Sequence, residues 1–451
     1  MTIAPPPPRP AGLRPLPGAR RRLSLVPGLT LPLIALAMMV SSDYKLRVRP
    51  LGQSLSATPD LNTLLEIGVY GLSFLVLVRA LLAARSTVSA ATPLLFLTWL
   101  YCAYMCASVA WSVYPVLGVV RGWQFLVSAA LAAALARYAT RRDLHRLAHW
   151  YVAVVSCSVV FGMVVHLPRQ RLMQNRFNWL FVHPVIAGTW LGLAVVLTLW
   201  LLLTRHERPG LPTAPTLLYL GALVLVVGGL LGTQTRGAIG GCAFGTATLL
   251  LVRYRRQAAE VAVLGACAVT LVGLLFLPRI VVFLSRGESS EELTSFNGRT
   301  PLWDQAYQLV LAHPLTGYGT TASRGLSFDN VGLGGAHNAA INVLVDGGLI
   351  GFTLWTGIVL GLARLFRYLL RTRAGQVDVP VMAAALVYLF VNGVTTEGLG
   401  FVATVSSTWL FVLVGWTAVL CRRTPARAAS PEPRPTTPVP AQTPLHDKRH
   451  P

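Results

Sequence analysis

PVIAGTWLGLAVVLTLWLLLT, residues 184–204, runs for about six helical turns without one charged side chain. A segment of about 20 apolar residues is long enough to cross the hydrocarbon core of a bilayer. Lipid offers the backbone no hydrogen-bond partner, so such a segment satisfies its own N–H and C=O groups and folds as a helix. Comparable stretches recur near 25–41, 61–84, 91–112, 115–138, 148–167, 215–233, 237–253, 258–277, 340–363, 379–396 and 401–421. The expectation is an all-α integral membrane protein with about twelve transmembrane helices, built as one polytopic domain over 25–421. A basic, proline-rich segment (1–24) and a tail rich in Pro, Ala and Thr (422–451) read as disordered flanks. The start does not read as a removable signal, because the first apolar run is broken by Pro27 and Pro32 and lacks a small-residue cleavage site before Asp43.

Composition points the same way. Of the 451 residues 54% are hydrophobic and only 12% charged, with a mean hydropathy of +0.59, which leaves too little polar surface for a water-soluble globule. A formal charge of +22 would suggest nucleic acid in a soluble protein. Here the basic residues fall in short clusters between apolar runs, without the interleaved aromatics of a nucleic-acid-binding face, so no nucleic-acid partner is expected. With both termini in the cytoplasm, roughly 26 of the 38 Lys and Arg fall on the inner side, including Arg141, Arg208, Arg253 and Arg364. The six cysteines lie in or beside apolar segments at no metal or redox spacing, and read as packing residues. No internal repeat stands out.

Three non-cytoplasmic connections are long: Ser42–Asp60, Pro168–His183 and, longest, Pro278 to about Ala339. Loops of this length are either functional or disordered. The third holds aromatic residues, turn glycines and the apolar stretch Trp303–Leu311, and is expected to fold, partly as a helix. Basic residues on this side are not explained by orientation. Arg236 sits in the tight turn Gly232-Thr233-Gln234-Thr235-Arg236-Gly237, Arg299 follows Asn297-Gly298, and Arg121 lies about two turns into the fourth span. Each arginine either snorkels to lipid phosphates or binds a ligand. Arg121, flanked by Gly118 and Gly122, is deep enough that function is the better account. Several guanidiniums on one face suit a diphosphate, because each makes a forked, charge-assisted contact with phosphate oxygens. His337, in Gly334-Gly335-Ala336-His337-Asn338, is either a base acting on a hydroxyl or part of a cap on the following helix, as is Asn338. His183 and His313, each before a proline, read as loop or interface residues. No phosphate-binding glycine loop, His-Glu-x-x-His or outer Asp-x-Asp or Glu-x-Asp pair occurs, and Asp304, Asp329, Glu291 and Glu292 are scattered, so neither a metal nor another cofactor is expected.

In order and spacing these stretches resemble the bacterial O-antigen ligase and O-antigen polymerase family. The resemblance is carried by Thr233-Gln234-Thr235-Arg236-Gly237, by Asn297-Gly298-Arg299 with Trp303 and His313-Pro314-Leu315-Thr316-Gly317-Tyr318-Gly319, and by His337-Asn338 with Asp346-Gly347-Gly348-Leu349-Ile350-Gly351. It covers roughly residues 180–360. The resemblance implies a metal-independent membrane glycosyltransferase of the cytoplasmic (inner) membrane. Its donor would be a glycan on undecaprenyl pyrophosphate, and its acceptor a glycan, lipid or protein hydroxyl on the outer face. It assigns Arg236 and Arg299 to the pyrophosphate, with Arg121 the further arginine candidate, and His337 to the acceptor hydroxyl as catalytic base. Ligase and polymerase differ only in the acceptor, and both stay open.

Two other functions compete. A transporter or flippase of lipid-linked glycan calls for polar residues near the bilayer midplane and interrupted helices. Apart from Arg121, the unusual residues gather at the outer surface instead. A non-catalytic scaffold would use the large loop as a docking surface.

Overall fold

The computed structural model describes residues 29–45, 59–82, 91–165, 176–179, 183–286, 299–372, 377–400 and 403–422. Both flanks expected to be disordered lie outside them, apart from Arg422, as do Asn297 and Gly298 and much of the first two long connections. Of the described residues 83% are helical and none is in a strand, so the chain is an all-α integral membrane protein. The helices are α1 (Thr30–Asp43), α2 (Leu61–Leu82), α3 (Thr92–Ala107), α4 (Pro115–Tyr138), α5 (Arg141–Val164), α6 (Pro184–Leu203), α7 (Thr216–Thr233), α8 (Arg236–Arg253), α9 (Ala258–Ser285), α10 (Arg299–Ala312), α11 (Ala322–Val331), α12 (Ala339–Thr372), α13 (Asp378–Gly393) and α14 (Val405–Cys421). Eight of these, some extended by a 3-10 turn, are long and apolar enough to cross a membrane. Three shorter apolar helices, α1, α13 and α14, and the glycine-rich α8 occupy the remaining positions expected of spans.

α6 and α14 form the centre. Trp190 and Trp200 on α6 and Trp409 and Trp416 on α14 are almost fully buried, as expected of helices that are apolar all round. Asp43, at the end of α1, ties this centre together by accepting Trp190 Nε1 (2.9 Å) and the Val405 amide (2.8 Å). α8 lies close along α13 because Gly241 and Gly245, four residues apart, face it, with Gly237 against Thr395 just past its end. A Cβ on Gly241 would come within 3.2 Å of the Tyr388 carbonyl, and one on Gly245 within 3.1 Å of the Ala384 carbonyl. Small residues at this spacing let membrane helices bring their backbones together.

The opposite end of the bundle carries its own charge network. Asp378 accepts Arg141 Nε (2.7 Å) and His145 Nε2 (2.8 Å), and Arg208 donates to the carbonyls of Leu201 and Thr204 beside the Trp200 ring. Arg253 pairs with Glu207. Arg208 thus closes the end of α6, while Arg141 and Arg253 are paired with carboxylates.

Two expectations need correction. The span placed at 258–277 runs unbroken through Pro278 to Ser285, so the large loop opens at Arg286 and not at Pro278. The proline removes one amide near the end of a long helix, and the final carbonyls find a partner in Arg236, described below. The span placed from 340 to 363 is not a continuous rod either. α12 reaches Thr372, and it is broken at Gly348, where φ is 59° and ψ is −163°.

Into that break fits the segment Pro314–Gly319. The Leu349 and Ile350 amides donate to the carbonyls of Pro314 (2.8 Å) and Leu315 (3.2 Å), and the Tyr318 and Gly319 amides donate to those of Val345 (3.0 Å) and Asp346 (2.9 Å). The backbone groups released by the kink are thus satisfied by a strap from the preceding loop. Gly348 is required here: its torsion angles are open essentially to glycine alone, and a Cβ would stand 2.3 Å from the Leu315 carbonyl oxygen. The fully buried Asp346 carboxylate then accepts the amides of Thr321 and Ser323, both at 2.6 Å, fixing the start of α11. Tyr104 on α3 closes the clasp by donating to the Gly347 carbonyl (2.8 Å). Replacing Asp346 by alanine strands two buried amides, and the expected loss is about 2–5 kcal/mol. It is read as a lower unfolding midpoint in detergent, with Asp346→Asn losing less because one acceptor oxygen remains.

Candidate functional site

The site assembles where α7 turns into α8. α7 ends at Thr233, Gln234 takes a left-handed conformation (φ 50°), and α8 begins at Arg236. The buried Arg176 straps this turn, donating from Nε to the Thr233 carbonyl (2.8 Å) and from Nη2 to Thr235 Oγ1 (3.0 Å). Arg236 reaches across to the end of α9, where Nε donates to the Leu284 carbonyl (2.6 Å) and Nη2 to that of Ser285 (3.2 Å). A cation there offsets the partial negative charge of a helix C-terminus. Arg286 follows directly, also left-handed at φ 58°.

His337 stands on the opposite wall, in the turn between α11 and α12. The turn is held from three sides. Trp303 Nε1 on α10 donates to the Ala336 carbonyl (3.0 Å), the Ala336 amide donates to Asn342 Oδ1 (2.9 Å), and the Glu397 carboxylate lies beside the turn, with Oε1 3.5 Å from His337 Nδ1. His337 itself has φ 49°, a conformation that non-glycine residues adopt rarely and at a cost, and that tends to persist at functional sites. Asn338 supplies the helix cap, its Oδ1 accepting the amides of Ala340 (3.0 Å) and Ile341 (3.2 Å). The capping account of the Gly-Gly-Ala-His-Asn stretch therefore belongs to Asn338, which leaves the imidazole unaccounted for by local structure.

Charge connects the two walls. Burial, then Arg286 and Arg236, hold Arg299 below the usual arginine range, while Glu397 opposes them. Burial also lowers Arg324 on α11, against the pull of Glu397. His337 keeps about 40% of its side chain open, but its surroundings still desolvate it, and Arg299 and Arg324 lie within charge range. Desolvation, followed by the two guanidiniums, pushes its pKa down to about 4. Its ring is consequently neutral and able to accept a proton at neutral pH. Glu397 moves the other way, up to about 7, because burial outweighs Arg324, Arg299 and the His337 amide. His183 is likewise pushed down to about 4 by burial, then by Arg176, His337 and Arg286.

Arg236, Arg299 and His337 thus lie in one charged neighbourhood, linked through Arg299. Arg121 lies deeper on α4. Its Nη1 pairs with Glu66 Oε1 on α2 (2.8 Å) and with Gln124 Oε1 (2.7 Å), and Glu66 also takes Lys45 Nζ (3.1 Å). It remains within charge range of Arg324. Sequence reasoning missed Arg286, Arg324 and Glu397. A signal for the last was present, since Glu397 is the one carboxylate between Asp378 and Glu432. Among the described residues no three His, Cys, Asp or Glu side chains come together to hold a cation.

A comparison with known protein families falls on this same region. Residues 220–356 match the family described as O-antigen ligase, a stretch that contains Arg236, Arg299 and His337. A 217-residue stretch is 27% identical to "O-antigen ligase" of Pseudomonas aeruginosa, covering 48% of this chain and 49% of that protein. The chain thus matches about half the length of that relative. Both findings support the O-antigen ligase family, in agreement with the resemblance read from the sequence. If Asn338 holds the His337 turn as a cap, Asn338→Ala costs about 1 kcal/mol. The expected readout is faster hydrogen exchange at the Ala340 and Ile341 amides, with exchange on α14 unchanged.

Proposed function

From the O-antigen ligase match over residues 220–356, we propose that the protein is a glycosyltransferase of O-antigen ligase or polymerase type. It transfers a glycan from undecaprenyl pyrophosphate to an acceptor hydroxyl on the outer face of the cytoplasmic membrane, with both termini inside. The observation that carries this reading is that Arg299 is within charge range of Arg236 and Arg286 on one side and of His337 on the other. A diphosphate and a hydroxyl held there would be neighbours. The proposed orientation rests on the Arg141, Arg208, Arg253 cluster at the far end, which the positive-inside rule assigns to the cytoplasm.

In this reading the arginines bind the diphosphate and His337 is the base. Nucleotide sugars do not reach the outer face, so the activated glycosidic bond arrives on the lipid. The acceptor oxygen bonds to the anomeric carbon as the bond from that carbon to the diphosphate oxygen breaks. The acceptor proton passes to the His337 ring, and the electron pair leaves on the polyprenyl diphosphate. Negative charge grows on that leaving oxygen, where preorganised guanidiniums stabilise the transition state more than the ground state. Arg236 contributes while anchored to α9, which fixes its position. Arg121, neutralised by Glu66, is proposed to act on the diphosphate more weakly than the other two. Arginines take the charge-neutralising part that a cation plays elsewhere, and the reading is accordingly metal-independent.

The test is purified protein with an undecaprenyl-pyrophosphate glycan and candidate acceptors, followed by mass spectrometry. A new glycosidic bond is expected, and it is expected to form in the presence of a chelator; relocation of the lipid without a new bond would indicate a flippase. His337→Ala should lower the rate by about 10²–10⁴, and near-normal transfer by that stably inserted variant would remove His337 as the base. Arg236→Lys and Arg299→Lys keep the charge but lose the fork, and donor affinity is expected to fall about tenfold in each.

A further inference from the structure

Glu397 lies beyond the matched stretch and outside every motif that carries the family resemblance. It follows α13, in the connection to α14, and the described residues on either side of it are held in place. The hydroxyls of Thr395 and Thr396 donate to the Asn392 carbonyl at the end of α13, at 3.1 and 3.0 Å. On the other side Thr404 Oγ1 and Ser407 Oγ both donate to the Gly398 carbonyl. The carboxylate is therefore delivered to one place. There it meets the His337 turn twice: it lies close enough to the His337 main-chain amide to feel its charge, and its Oε1 lies 3.5 Å from His337 Nδ1.

Two further facts point to that second contact. Oε1 is buried and has no hydrogen-bond partner, a costly state for a carboxylate oxygen. The ring nitrogen facing it supplies the missing donor once Nδ1 carries the proton and the pair closes by a few tenths of an ångström. Gly335 also makes room for Glu397. Its φ is +85°, and a Cβ there would lie 2.5 Å from Oε1. The glycines before His337 thus shape the seat of a residue some 60 positions further along the chain.

We propose that Glu397 is the positioning residue of His337, holding the Nδ1–H tautomer and the ring plane so that Nε2 faces the acceptor hydroxyl. The inference rests on His337 being the base. During transfer the hydroxyl proton moves to Nε2 as the acceptor oxygen bonds to the anomeric carbon and the diphosphate oxygen leaves. Glu397 steadies the positive charge that the ring gains and keeps its own bond to Nδ1–H. The proton then passes from Nε2 to the departing diphosphate or to water. The charged groups facing the pair are Arg299 and Arg324, with Asp346 behind Glu397 and His183 beside His337. With Glu397 ionising at about 7 and His337 at about 4, the ring is already neutral when the carboxylate gains its charge. The rate therefore climbs with a limb near pH 7 that belongs to Glu397.

The experiment is the pH dependence of kcat for the full-length protein and Glu397→Gln, with an undecaprenyl-diphosphate glycan and a saccharide acceptor. The variant should lose the limb near pH 7 and fall in kcat on the order of 10- to 100-fold, with the donor KM unchanged. Should Glu397→Gln not fold, Glu397→Asp replaces it: the carboxylate withdrawn by one methylene is expected to keep a limb but lose kcat similarly. A wild-type kcat and pH profile in whichever variant folds would overturn the positioning role and leave the proposed function standing. Absence of any glycosidic product from the wild-type protein would overturn both.

Discussion

The architecture of this protein depends on a helix that is broken on purpose. At Gly348 the chain of α12 leaves helical torsion, and four backbone groups are handed to the strap Pro314–Gly319. An unpaired amide or carbonyl at that depth would be costly, because lipid cannot satisfy it. The exchange between strap and break is therefore obligatory. Asp346 extends the same logic, giving its carboxylate to the first amides of α11. The consequence is a fixed geometry for α10, α11 and the His337 turn. These elements lie between membrane helices and would otherwise be only a loop.

That fixed geometry explains why so few side chains shape the site. Trp303, Asn342 and Glu397 reach the His337 turn from three different elements. Arg176 and Arg236 do the equivalent for the opposite wall, one strapping the α7–α8 turn and the other closing the end of α9. Positive charge is concentrated on both walls, and among the described residues Glu397 opposes it at Arg299 and Arg324, with Glu66 set deeper. An imidazole in such surroundings resists protonation, because burial and the neighbouring guanidiniums disfavour its charged form.

Much of the membrane scaffold was legible from composition and periodicity alone. A run such as 184–204 has one physical solution in lipid, and its helix is found at Pro184–Leu203. The order of Arg236, Arg299 and His337 around one loop was also readable, because basic residues away from the clusters that the positive-inside rule assigns to the cytoplasm lack an orienting reason. Two features were hidden. Pro278 reads as a helix end, but its lost bond is tolerable near the end of a helix whose last carbonyls are closed by a residue 48 positions away. Glu397 reads as a loop acid, because nothing local links it to Gly335 or His337. Both depend on contacts between distant segments, which spacing along the chain does not encode.

One helix stands apart from the rest. No side chain of α9 is buried, although it runs for 28 residues, or about 42 Å at helical rise. The hydrocarbon layer is about 30 Å thick, so a helix of this length either leans within it or extends past it, with its apolar side chains open to whatever surrounds the bundle. Its attitude is then set by bilayer thickness and by its two ends, one of which is clasped by Arg236. A thicker or thinner membrane would strain that clasp first, making the α9 end of the arginine wall the part of this protein most directly coupled to hydrophobic mismatch.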